Sequence, residues 1–256
     1  MLTKDQAICI RAVDYSETSQ VVTFFTKATG KISAIAKGSK RPKSAFGGPL
    51  EILSHGRIVF SDSNREKLAT LTEFESAAST AGLTPHGTWG LLRNNLFALN
   101  CCLFAAELLN LLTDEHDPHP DLFDSFLQFL HDVQDAADKP EMLALLILFQ
   151  LALLKEVGLQ PILSHCANCR TRYEGRETRD GVYFSSSANG LICRDCEPAF
   201  QDKFRLSKSA AACLANLRLL AESPQKTLLE IEELLAHHFT ELTGHRPKMA
   251  KHIVNP

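Results

Sequence analysis

Four cysteines fall as Cys166-Ala-Asn-Cys169 and Cys193-Arg-Asp-Cys196. Two C-x-x-C pairs some two dozen residues apart are the pattern that offers one tetrahedral zinc ion four thiolates. The two-residue gap lets both sulfurs of a knuckle turn toward one ion at about 2.3 Å. Four thiolates leave no position for water or substrate, so the site they predict holds a fold together and does no chemistry. Disulfides or a redox role are the alternative. A redox motif needs only one pair, and the opening Met1-Leu-Thr-Lys-Asp5 does not read as a secretory signal. The other cysteines, Cys9, Cys101, Cys102 and Cys213, lie among apolar residues and read as buried thiols.

The second feature is a division of charge. The net charge of the 256 residues is only −3. Yet Lys27 to Arg57 carries seven basic residues against one acid, Glu51, and Glu107 to Glu141 carries ten acids against one base, Lys139. This asymmetry predicts a basic functional surface on one lobe and a solvated acidic face on another. The densest part, Lys37-Gly-Ser-Lys-Arg-Pro-Lys-Ser44, has the Gly and Pro of a loop. Its Lys37, Lys40, Arg41 and Lys43 can reach phosphates, with Lys31 and Arg57 extending the patch; binding of this kind weakens steeply with salt. Tyr15 and Phe46 are candidates for base stacking, whereas Phe24, Phe25 and Phe60 read as core. A second basic cluster, Gly244 to His252, is explained as well by a helix C-terminus as by a phosphate contact. Arg170, Arg172 and Arg176 beside the cysteines offset thiolate charge or touch a phosphate.

These groups must be carried by two kinds of element. Residues 1 to about 80 alternate as strands do. Ile8 and Ile10 are expected on one face of the first strand, and Ile32, Ala34 and Ala36 on one face of the third. Ser19–Thr26, Leu50–Phe60 and Lys67–Phe74 complete five short strands, the number of a small barrel of the OB or the SH3-like type. Beyond Thr84-Pro85-His86-Gly87 the period becomes helical. Trp89, Leu92, Leu96, Leu99, Leu103 and Ala106 form the expected buried stripe of one helix. Asp121 is the expected N-cap of the next, before Phe123, Phe126, Phe129 and Leu130. The most apolar helix opens at Pro140-Glu141 and ends at Gly158; its run from Met142 to Leu154, broken by Gln150, is too short to span a bilayer. Helices resume near Ser207 and Thr227. The expected architecture is α+β and multidomain: a barrel, then a helical domain with an inserted four-cysteine zinc module.

Other reactive residue types form no catalytic set. His116, His119, His237 and His238 lack ligand spacing and read as surface or helix-flank residues. Glu232-Glu233 and Asp114-Glu115 read as exposed helix charges. The sequence contains no nucleophile elbow, Walker A loop or dinucleotide fingerprint, so the reading is a binding protein and not an enzyme.

The run Ala7-Ile-Cys-Ile-Arg-Ala-Val-Asp-Tyr-Ser-Glu-Thr18, followed by Gly30-Lys-Ile-Ser-Ala-Ile-Ala-Lys-Gly38 and Phe46-Gly-Gly-Pro-Leu50, resembles the opening of the bacterial RecO DNA-repair proteins. The cysteine quartet, with Gly190-Leu-Ile-Cys193, resembles the zinc knuckle that many members carry. Where the family commonly has a Gly pair ahead of the third cysteine, this chain has Asn189-Gly190. The resemblance implies an OB-fold DNA-binding domain over residues 1–80 and a helical domain over 81–256, with the zinc module at about 163–200. It implies a cytoplasmic, nucleoid-associated recombination mediator that binds single- and double-stranded DNA and anneals complementary strands. It further implies action with RecR and the single-stranded-DNA-binding protein to help RecA load. The alternative is another zinc-ribbon nucleic-acid-binding factor, of transcription or the ribosome.

Overall fold

The computed structural model describes residues 2–61, 68–77, 92, 94–173 and 181–254, which divide into two compact units, 1–134 and 135–256. Lys67, Thr84 to Gly87, Trp89, Arg176 and the expected boundary at residue 80 lie outside the described residues.

In the first unit, strands β1 (Leu2–Asp14), β2 (Gln20–Thr26), β3 (Gly30–Ala36), β4 (His55–Ser61) and β5 (Ala69–Ser76) close into a barrel in the order β1-β2-β3-β5-β4. Antiparallel pairing of β1 with β4 closes it, and β3 runs parallel to β5. This is the strand order of an OB barrel, and it decides between the two barrel types that a strand count allows. The fourth strand starts at His55, not Leu50, because residues 50–54 turn to pair Leu53 and Ser54 with the backbone of Cys9.

The barrel interior is filled by Ala7, Cys9, Val22, Phe24, Ile32, Ala34, Ala36, Ile58, Phe60 and Leu71. β3 alternates as its sequence predicts. β1 alternates too, up to its bulge: Ala7 and Cys9 point inward, while Ile8 is fully buried on the opposite face. That face is apolar because helices cover it. Helix α1 (Leu96–Leu112) packs on β1, and Phe123 of α2 (Pro120–Asp135) stacks on Phe25 with ring centroids 6.2 Å apart.

The side chain of Asn95 caps α1, accepting the amides of Phe97 and Ala98 at 3.1 Å. The buried stripe of α1 runs through Phe97, Cys101, Phe104, Ala105 and Leu108. Of the expected stripe, Leu92 and Ala106 are buried, but Leu96 is 72% exposed and Leu99 and Leu103 are half-buried, one residue out of phase with the true buried face. In α2, the carbonyl of His119 receives the amide of Phe123, so Asp121 lies inside the first turn rather than at the cap. Its charge still faces the positive end of the helix.

In the second unit, α3 (Lys139–Glu156) is capped by Asp138, with Pro140 in its first turn, and packs on α5 (Gln225–Thr243). Between them in sequence come a three-stranded sheet, order β7-β6-β8 (β6 Val182–Ser185, β7 Gly190–Cys193, β8 Lys203–Leu206), and the short α4 (Lys208–Ala215), capped by Ser207 as expected. α6 (Lys251–Val254) follows α5.

Two expectations fail inside α5. His238 is buried, edge-on to Phe184, with Nδ1 3.1 Å from the Ser186 hydroxyl; burial draws its pKa down to about 4. Glu232 is also fully buried, and Nε2 of Gln150, equally buried, donates to its Oε1 at 2.7 Å. Burial pushes this carboxyl up to about 7 against the opposing pull of that bond. The remaining oxygens, Glu232 Oε2 and Gln150 Oε1, have no hydrogen-bond partner, and a proton on the carboxyl supplies the missing donor.

The folded protein keeps this proton up to about pH 7, whereas the unfolded chain loses it at the ordinary carboxylate value. Stability from this group is therefore full at acid pH, declines as pH rises toward 7, and is flat above. Glu232→Gln is expected to remove that decline and raise stability near pH 8 by up to about 3 kcal/mol. Denaturant melts of both proteins near pH 5 and pH 8 check it, and equal pH profiles would contradict a buried acid.

Candidate nucleic-acid interface and metal centre

The basic stretch of the first unit does not reach solvent as one block. Lys31, on the outer face of β3, is 9% exposed. Its ammonium donates to the carbonyls of Asn110 (2.8 Å) and Thr113, the last turn and cap of α1. Its backbone carbonyl receives the amide of His116 at 2.9 Å. A cation is suited to this place, because the last carbonyls of a helix carry its negative end. Burial lowers the Lys31 pKa, with Glu115 and Asp114 acting the other way. Lys31 was expected to contact DNA; it is spent on the helix.

Lys27 donates to both carboxylate oxygens of Asp124, at 2.7 and 2.8 Å, and the hydroxyl of Ser33 donates to Glu115 at 2.7 Å. Parts of the acidic and basic stretches thus meet within the first unit instead of lying on separate lobes. Gly30 sits where a Cβ would come within 2.2 Å of the Asp117 carbonyl oxygen, at φ +81°, so only glycine fits the close approach.

What faces solvent is the loop after β3. Lys37, Arg41 and Lys43 are exposed. Lys40 is half-buried, donates its backbone amide to the Thr18 carbonyl at 3.1 Å, and pairs with Asp14 at 2.7 Å. Arg57 is exposed opposite Glu75 across β4 and β5, 3.8 Å away. Tyr15, 66% exposed in the β1–β2 turn, can offer a ring face; Phe46 cannot, being packed on the barrel core. The structure therefore brings together Lys37, Lys40, Arg41 and Lys43 with Tyr15's turn, and takes Lys31 away.

The loop rests on Gln20, which sequence reading passed over. Gln20 is 6% exposed. Its Oε1 accepts from the Ser39 hydroxyl (3.0 Å) and the Leu50 amide (2.9 Å), while Nε2 donates to the Leu50 carbonyl (3.2 Å). The one signal was a polar residue at the start of an otherwise apolar β-branched and aromatic strand.

In the second unit the four cysteine sulfurs lie within 4.8 Å of one another. Cys166 and Cys169 sit on a tight turn. The amide of Cys166 donates to the Thr171 carbonyl (2.8 Å), that of Arg170 to the Cys166 carbonyl (2.9 Å), and Arg170 takes φ +63°. Cys193 ends β7, and the amide of Cys196 donates to its carbonyl at 3.1 Å.

A tetrahedral thiolate shell puts its sulfurs about 3.8 Å apart. Cys169 and Cys193 are 3.7 Å apart, far beyond a disulfide and close to that edge. Burial pushes Cys193 up to about 12, and the nearby Thr171 hydroxyl, 3.2 Å from Cys169, helps draw that thiol down to about 6. Four sulfurs this close cannot all ionise without a cation among them, so the donor set fits a soft divalent ion.

Asn189 at φ +48° and Gly190 form the turn into β7. Gly190 lies where a Cβ would be 2.5 Å from the Ile162 carbonyl oxygen, which itself receives the Leu191 amide. Asn is the residue besides glycine that best tolerates this conformation, which explains Asn189 in place of a first glycine. Of the C-terminal basic cluster, Arg246 lines a cavity of about 500 Å³ with Asp202, Lys203, Glu233 and His237, a lining of mixed sign.

The first unit is an OB barrel bearing an exposed basic loop, and the second is a helical unit whose inserted turn and strand carry a four-cysteine cluster. The family models agree: Recombination protein O N terminal matches residues 1–80, and Recombination protein O C terminal matches residues 93–251. The chain is 32% identical to the DNA repair protein RecO of Rhodopirellula baltica over 222 residues, covering 87% of this chain and 77% of that one. It is 33% identical to the DNA repair protein RecO of Anaeromyxobacter sp. strain K over 212 residues (82% and 77%). It is 32% identical to that of Bacillus subtilis over 197 residues (77% and 69%). The chain belongs to the RecO family of DNA repair proteins.

The burial of Lys31 separates its role from that of the loop. Lys31→Met is expected to cost about 1.5–3 kcal/mol of stability, the value of charge-assisted hydrogen bonds lost at a buried site. The salt dependence of any nucleic-acid binding should not change. Chemical denaturation beside an oligonucleotide titration checks this; a lower salt slope in the variant would return Lys31 to the interface.

Proposed function

We propose that this protein is a recombination mediator. It binds single- and double-stranded DNA through its N-terminal barrel, promotes annealing of complementary strands, and assists RecA loading together with RecR on DNA coated by single-stranded-DNA-binding protein. The observation that carries the reading is the solvent-facing loop with Lys37, Arg41 and Lys43, beside Lys40, on an OB barrel. Residues 1–80 are the DNA-binding domain in this reading, and residues 81–256 a helical domain with a zinc module at about 163–200.

The mechanism is electrostatic. A strand approaching the loop exchanges condensed counterions for fixed ammonium and guanidinium groups, and the released ions drive binding. The contacts go to phosphates, so they do not select a base sequence. Two strands whose charge is partly neutralised repel less, and Watson–Crick pairing supplies the rest; no bond breaks. Lys40 joins by exchanging Asp14 for a phosphate, and Arg57 by exchanging the longer contact with Glu75. Tyr15 adds a stacking face that any base can use.

Cys166, Cys169, Cys193 and Cys196 hold a structural zinc ion in this reading. Bound there, the metal neutralises four crowded thiolates and ties the 165–172 turn to β7. The chain's own residues fix where the sulfurs stand: Gly190 allows the close strand approach, and Thr171 holds both the Cys166 amide and the Cys169 sulfur.

Replacing Lys37, Arg41 and Lys43 together with Ala should lower affinity for a single-stranded oligonucleotide and reduce the slope of log K against log salt by about two units. Fluorescence anisotropy at several salt concentrations checks it; unchanged affinity and slope would remove the loop from the interface. Metal analysis after purification in fresh reductant should give about one zinc per chain. Cys193→Ser should lower that content and destabilise the fold, and a full complement of zinc in this variant would contradict the four-thiolate site.

A further inference from the structure

The basic loop is long, contains Gly38, Pro42, Gly47 and Gly48, and should by composition be loose. Its described geometry is the opposite. Successive turns run through it: the amide of Arg41 donates to the Gly38 carbonyl, Ser44 to Arg41, and Gly47 to Ser44, all at 3.1–3.2 Å. At its near end, Gly38 donates its amide to the Ser19 hydroxyl at 3.1 Å. One side chain joins the two ends to each other. Gln20 engages Ser39 on the near side and both backbone groups of Leu50 on the far side, and all three residues are buried.

A carboxamide is suited to this. It offers a donor and an acceptor at once, where a carboxylate only accepts and a hydroxyl is too short. Satisfying a buried N–H and C=O of the same residue fixes that residue's peptide plane as well as its distance. The loop is thereby closed into a ring whose tip carries Arg41 and Lys43.

We propose that Gln20 is the positioning residue of the nucleic-acid contact: its buried carboxamide clamps residues 39 and 50 together and so holds the loop cations in a binding-ready arrangement. The proposal rests on the loop reading given above and adds what sets the loop's shape. The gain is preorganisation. Cations that need no ordering on binding lose less entropy when the strand arrives.

Gln20→Met, in the full-length protein, keeps the length and burial of the side chain and removes all three bonds. Three measurements are made: amide hydrogen exchange across residues 37–54, affinity for a single-stranded oligothymidine over a range of salt, and the melting temperature. Exchange at the Leu50 amide should quicken by about tenfold or more, because its acceptor is gone. Affinity should fall roughly fivefold, since the same contacts now carry an ordering cost. The salt slope should stay at the parental value, because every cation is still present. That split between affinity and slope is what a merely structural residue would not give.

Unchanged exchange in Gln20→Met overturns the clamp. Faster exchange with unchanged affinity, while the Lys37, Arg41 and Lys43 triple alanine variant does lose affinity, overturns the positioning role and leaves the loop contact standing. Unchanged affinity in the triple variant overturns the loop contact itself, and the two failures are thereby told apart. If Gln20→Met does not fold, Ser39→Ala removes a single leg of the clamp and should show the same pattern with smaller shifts; no shift in exchange or affinity there overturns the proposal.

Discussion

The ammonium of Lys31 on the last carbonyls of α1 is the contact on which the first unit turns. A barrel of five strands exposes its outer faces, and the apolar residues there, Ile8 and Phe25 among them, need a cover. A helix end needs partners for carbonyls that have none within the helix. One lysine meets both needs, and the amide of His116 on its backbone carbonyl continues the join in the opposite direction. Once that seam is made, Gly30 must be glycine against Asp117, Lys27 falls opposite Asp124, and Ser33 falls opposite Glu115. Two acids of the acidic segment, Glu115 and Asp124, are engaged at the seam, along with the two basic residues nearest it. In the proposed interface, the cations left to meet an external polyanion are chiefly those of the loop beyond Ala36.

This explains which parts of the fold were legible in the chain. β3 has one covered polar face and one core face, and its alternation reads correctly. β1 is buried on both sides and carries a bulge between Cys9 and Arg11, so its alternation shows which residues share a face but not which face is the core. α1 is apolar nearly all round, with Leu at 96, 99 and 103 as well as Phe97, Phe104 and Leu108. A stripe drawn through the leucines is as periodic as the true one, and only the packing partner chooses. Charge is less legible still. Lys31 and Lys37 look alike locally, and the difference lies in carbonyls some eighty residues away. Glu232 beside Glu233 on a polar-looking helix gives no hint that Gln150 waits for one of them and not the other.

The four-cysteine cluster shows the reverse. Cysteine spacing is a local property, and the two knuckles are recognisable because the turn that aims two sulfurs at one point is short enough to be written in four residues. The spacing does not show how the two knuckles meet. That depends on Gly190 passing the Ile162 backbone and on Asn189 taking a left-handed turn just before it. The Asn-Gly pair looked like a departure from a motif; in the fold it meets the same conformational requirement with a different residue.

The frame and the interface also use different forces, and the division has a physical reason. The loop's inner supports, Gln20, Ser39 and the Ser19 hydroxyl, are neutral and buried. Its outer face is cationic and exposed. Interactions of buried neutral groups respond little to ionic strength, whereas exposed charges are screened beyond about 10 Å at 0.1 M salt. Had the loop been held in shape by surface ion pairs, salt and DNA would both have competed for the same charges, and binding would have loosened the support it relied on. In the proposed interface, the Lys40–Asp14 pair is a place where support and contact overlap. Lys40 also has its backbone amide anchored to Thr18, so the side chain can change partners while its position in the loop is kept.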